Sequence, residues 1–155
     1  MASFGFRVSI SVSGLKELIG RMLGFSLTEK HRMYAQGMQE SLEAIHQGVP
    51  PYPPPPAASK YTRTEKLGKG MGSGFGGGKG GPPDIYQISV SGGAVEGRFG
   101  TSVGYAEYVI GENTQAEVHA GRWWTTRTLL NSVMDKINSI WQAVGARIAA
   151  YINGR

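Results

Sequence analysis

The sequence predicts an α+β protein: a small antiparallel sheet packed by two long helices, with a long Pro/Gly-rich loop between its halves. Three observations predict it. Apolar residues alternate with period two near the N-terminus and again over 86–99, the signature of half-buried strands. They recur at spacings of three and four in two long stretches, as on one face of a helix. Glycine and proline crowd into one segment: nine of the 14 residues from Gly68 to Gly81 are glycine, and six of the eight prolines lie between Pro50 and Pro56.

Phe4, Phe6, Val8, Ile10 and Val12 alternate with small or polar residues, which predicts a strand ended by Gly14. Leu15, Leu18, Ile19, Met22 and Leu23 then share one side of a short helix. A second helix starts at Ser26, where Ser26 and Glu29 have the spacing of a capping box. Its stripe is Leu27, Tyr34, Met38, Leu42 and Ile45, and Gly48 and Pro50 stop it. Gly37 lies inside this helix at a cost of roughly 1 kcal/mol against Ala, which implies a close packing contact.

The chain reads as one domain, with a body of 1–48 and 84–155 and an extended basic arm of 49–83. The proline run favours stiff polyproline II and the glycines favour flexible chain. A structureless loop of this length is uncommon in a compact domain and points to function or disorder. On this reading residues 68–81 are dispensable for the monomer fold. Order resumes at Asp84. Tyr86, Ile88 and Val90, then Gly92-Gly93, then Val95, Gly97 and Phe99 predict a hairpin. A compact aromatic-rich connection follows over 103–112, and the residues permit a short fourth strand around Ala116 to His119. Leu130, Val133, Ile137, Ile140, Trp141, Val144, Ile148 and Ile152 predict a terminal helix of about 25 residues, roughly 37 Å long.

Chemistry is sparse. The 155 residues include no cysteine, which excludes a disulfide scaffold, a thiolate metal site and a cysteine nucleophile. No run of about 18 apolar residues occurs, which argues against a membrane span. The three histidines (His31, His46, His119) form no i, i+4 pair, and no carboxylate completes a ligand set. Gly72–Gly77 fits G-x-G-x-x-G formally, but in so glycine-rich a segment the match carries little weight. Neither the strand before it nor the helix after it is present in the pattern. No enzyme, metal or cofactor is therefore expected.

Charge is more informative. The chain carries +5, and Lys60, Arg63, Lys66, Lys69 and Lys79 face only Glu65 within 60–83, so that segment carries +4. Such a basic arm suits a protein contact, phosphate contacts that read no sequence, or plain solvation. Arg122, Trp123 and Trp124, just before the terminal helix, suit either a core plug with a Thr cap or an interface anchor.

Three separated patterns occur in order. The first is the N-terminal strand followed by Gly14-Leu15-x-x-Leu18 and a long helix. The second is Tyr61-x-Arg63-Thr64-x-x-Leu67-Gly68. The third is Gly100-Thr101, then Tyr105-Ala106-x-Tyr108-Val109-x-Gly111, then Gly121-Arg122-Trp123-Trp124-Thr125 and a terminal helix. Together they resemble the neck and minor tail-component family of tailed bacteriophages, which act in tail completion and head–tail joining. The family usually has Thr-Gly where this chain has Thr64-Glu65. The resemblance makes Tyr61, Thr64, Leu67, Gly68, Tyr105, Ala106, Tyr108 and Gly111 turn and packing residues. It implies a non-enzymatic structural virion protein, made in the host cytoplasm and placed at the head–tail junction. The partners it implies are further copies of the chain in a ring, adjacent portal, adaptor or tail proteins, and non-specific contact with genomic DNA. No membrane is implied. The alternative from the residues alone is a small basic nucleic-acid-binding or capsid-associated module acting through its 60–79 loop.

Overall fold

The computed structural model describes residues 4–9, 27–51, 53, 65–74, 78–91 and 94–153. In chain order it contains β1 (Phe4–Ser9), α1 (Leu27–Gly48), α2 (Lys66–Gly70), β2 (Ile85–Ser91), β3 (Ala94–Thr101), α3 (Ala106–Ile110) and α4 (Thr126–Asn153). The class is α+β, as the periodicities require. The expected short helix over 15–24, Ser26 of the capping box and the end of the first strand lie outside the described residues.

The three strands form one antiparallel sheet in the order β1-β3-β2. Ser91 pairs with Ala94, so two glycines join β2 to β3, as a hairpin demands. The period-two pattern decides which face is inside. Val95, Gly97 and Phe99 are buried, whereas Arg98 points away from the core. β1 closes the other side of β3, with Phe6 opposite Phe99 and Arg7 opposite Arg98.

α1 lies on the inner face of the sheet, and α4 packs mainly on α1. Met38, Leu42 and Ile45 of the predicted α1 stripe are fully buried, and Tyr34 is half-buried. Gly97 supplies the room: a Cβ there would lie 2.5 Å from Met38 Sδ. Gly37 plays the part its position implied on the opposite side of α1. A Cβ there would lie 2.6 Å from Val144 Cγ2 of α4, so the missing side chain sets the separation of the two helices. Ser41, also buried, donates to the Gly37 carbonyl (2.8 Å) and accepts from the Trp141 indole N–H (3.1 Å).

α4 is 28 residues long. Thr125 caps it: the Thr128 amide donates to Thr125 Oγ1 (3.3 Å) and the Thr125 amide donates to Thr128 Oγ1 (2.8 Å). This reciprocal pair does the work of a capping box with Thr in place of Glu. Leu129, Val133, Ile137, Val144 and Ile148 are buried along the helix.

The fourth strand does not form. Over 116–123 the amides bond locally, His119 to the Ala116 carbonyl (2.8 Å) and Trp123 to the His119 carbonyl (2.9 Å). Such i→i+3 and i→i+4 bonds use the donors that a ladder would need.

Candidate functional site

The glycine-rich segment departs most from the sequence expectation. It is not free chain where it is described. Leu67 and Met71 stand four apart, the spacing that puts two side chains on one helical face, and both sink into the core. Around them the backbone closes on itself. The Met71 amide donates to the Leu67 carbonyl (2.9 Å) and the Ser73 amide to the Gly68 carbonyl (2.8 Å). Gly68, Gly70 and Gly72 are buried because the segment lies flat against its neighbours. Gly72 also has φ +67°, and a Cβ there would run into His46 and the Gly81 carbonyl.

Three clamps hold the segment down. His46, buried near the C-terminal end of α1, donates from Nε2 to the Gly72 carbonyl (2.8 Å). That bond fixes the tautomer, since a carbonyl only accepts. The Gly78 amide donates to the Val49 carbonyl (2.6 Å), and Lys79 reaches Glu43 (2.9 Å). The Lys79 ammonium holds the Glu43 carboxyl below its usual range, with help from Gln47 and against a smaller opposing effect of desolvation.

Asp84 closes the far end. Its amide donates to the Gly70 carbonyl (2.8 Å), and its Oδ2 accepts from Thr101 Oγ1 (2.9 Å), the Ser102 amide (2.9 Å) and Ser102 Oγ (2.8 Å). Burial pushes this carboxyl up, but the two bonds from Ser102 and the one from Thr101 outweigh it and hold it below the ordinary value.

The segment enters through Glu65, which has φ 57°. A side chain at left-handed φ carries a steric cost that glycine escapes. Leu67, Gly68 and Met71 then meet Trp123, Trp124 and Pro50 along a shallow cleft, with Ser73 at its rim. Both tryptophans are half-buried and pack against the core. Gln115 secures this corner by donating to the Val109 and Trp123 carbonyls (2.7 and 3.2 Å).

The expected packing residues divide in two. Leu67, Gly68, Ala106 and Gly111 are buried. Tyr105 and Tyr108 are exposed, 42% and 54%. Lys60, Tyr61, Arg63 and Thr64 lie outside the described residues. The remaining expected basic contacts, Lys66, Lys69 and Lys79, are all exposed; Lys79 is bound to Glu43 and Lys69 pairs with Glu65 at 3.4 Å, and among the described residues Lys66 has no ion-pair partner. Sequence reasoning missed Asp84, His46 and Glu43 as clamps. Only the Pro-Pro-Asp run at the start of a strand hinted at any of them, because each partner lies 17 to 36 residues away.

Among the described residues no group of three or more His, Asp or Glu is placed to hold a metal ion. No described helix is long and apolar enough to cross a membrane. No family model, no curated protein and no solved structure matches the chain.

Proposed function

We propose that this chain is a structural virion protein of a tailed bacteriophage, a neck or tail-completion component. In this reading it joins head to tail as a homo-oligomeric ring around the DNA channel, touching portal, adaptor or tail proteins and performing no catalysis. The observation that carries it is the backbone at Glu65. The family pattern has glycine after the threonine, and this chain has a left-handed residue at that position, φ 57°. A backbone conformation suited to glycine thus stands at the position where the family usually has glycine.

Two further observations support the reading. Leu67 and Ala106, from separate motifs, meet in one core cluster, so the spaced motifs belong to one packing unit. Among the described residues, neither β1 nor β2 is paired on its outer side, and free edges can accept a neighbour's strand.

Virions purified from cells that make this chain test the proposal by mass spectrometry and immunogold electron microscopy. The expected result is the chain in the particle, with label at the head–tail junction. Virions free of the chain would overturn it.

A further inference from the structure

We infer that two unlike surfaces of this chain bind each other between copies: an acidic aromatic patch on α3 and the following loop, and the cationic side of α2. The inference names the contact within the proposed ring and to that extent rests on that reading.

The first surface stands out by charge. Between Arg98 and Arg122 the chain has Glu107, Glu112 and Glu117 and no Lys or Arg. That stretch carries −3, so the rest of a +5 chain carries +8 (5 + 3). An acidic patch on so basic a protein is matched by the protein's own remaining surface. The patch is one folded unit. The Ala116 amide donates to the Tyr108 carbonyl (2.8 Å), and Thr114 Oγ1 donates to the Glu107 carbonyl (2.8 Å). The loop therefore folds back on α3 and sets Glu117 and Val118 near Tyr108. Tyr108 is 54% exposed and Val118 65%. Exposed large apolar groups rimmed by charge are a common composition of a contact surface.

The second surface is α2. Leu67 and Met71 face the core, while Lys66 and Lys69 face outward. The described stretch 65–69 sums to +1, from Lys66 and Lys69 against Glu65.

Within one chain the two surfaces do not satisfy each other. Glu112 pairs with Arg127 and Lys69 with Glu65. Among the described residues Glu107, Glu117 and Lys66 have no ion-pair partner. Opposite potentials on unlike patches favour head-to-tail contact and oppose patch-to-same-patch contact. Head-to-tail contacts between identical subunits close into a ring when the rotation allows.

Charge reversal tests this with the full chain. Light scattering and sedimentation as concentration rises should show self-association that weakens with salt. The variants Glu107→Lys/Glu117→Lys and Lys66→Glu/Lys69→Glu should each associate roughly tenfold more weakly or worse. Circular dichroism should show both folded, because every replaced side chain reaches solvent. An equimolar mixture of the two variants should regain association, since each reversed patch then meets an opposite charge on the other variant. A wild-type chain that stays monomeric throughout would overturn the inference. So would reversed variants that associate like wild type, or a mixture that does not recover. None of these results decides whether the chain is present in virions, so the two proposals fail separately.

Discussion

Gly37→Ala sets two well-defined effects against each other. Helix propensity alone favours the alanine by roughly 1 kcal/mol. The new methyl, however, would sit 2.6 Å from Val144 Cγ2. Val144 is only 1% exposed, short and branched, so it cannot swing aside, and Trp141 lies 3.7 Å away on the same side. Overpacking of this kind costs about 1–3 kcal/mol. The net expectation is a loss of roughly 0–2 kcal/mol. In a Val144→Ala background the obstruction is gone, and the same Gly37→Ala change should stabilise by about 1 kcal/mol. The difference between backgrounds, a coupling on the order of 1–3 kcal/mol, is the quantity to measure. Urea unfolding of the four proteins, read by tryptophan fluorescence, yields it from the midpoints at constant slope. Equal stabilisation of about 1 kcal/mol in both backgrounds would refute the close approach of α1 and α4 at this point.

Three other predictions concern the glycine-rich segment. Leu67→Ala and Met71→Ala should each cost about 2–5 kcal/mol in chemical denaturation, because both side chains lie in the core, and deletion of 68–81, which removes Met71 together with the carbonyls bound by His46 and by the Asp84 amide, should unfold the body; a deletion variant with an unchanged melt would show the segment to be dispensable. At position 65, glycine should exceed alanine in stability by roughly 1 kcal/mol, since both remove the carboxylate and only glycine relieves the left-handed backbone; equal midpoints for Glu65→Gly and Glu65→Ala would contradict that. Asp84 has a folded-state pKa held below its unfolded value, so its contribution is complete above the unfolded carboxyl range, near 4. It is lost as pH falls through the folded value. Asp84→Asn should therefore lower stability at neutral pH and flatten the acid limb of the stability curve, and an unchanged limb would remove Asp84 from the linkage.

Periodicity made most of the fold legible. The 3.6-residue stripes marked α1 and α4, and alternation marked both hairpin strands, because a half-buried element must repeat its apolar residues at its own geometric period. Gly37 was legible too, since an unfavourable residue within a good helix needs a compensating contact. Composition misled over the glycine-rich segment. Nine glycines imply a flexible chain on average, and their density hid the i, i+4 pair of Leu67 and Met71. It also hid the reason for two of the glycines, Gly70 and Gly72, which is lack of room beneath Thr101, Asp84 and His46.

By itself the sequence determined the α+β class, the two long helices, the hairpin and the lack of any thiol chemistry. All of these follow from residue type and local spacing. Tertiary structure alone decided that α1 lies between the sheet and α4, and that His46, Glu43 and Asp84 clamp a segment distant in sequence. It also brought Tyr108, Glu117 and Val118 into one patch. Those outcomes depend on which residues meet across 9 to more than 100 residues of chain, and no local period encodes such meetings.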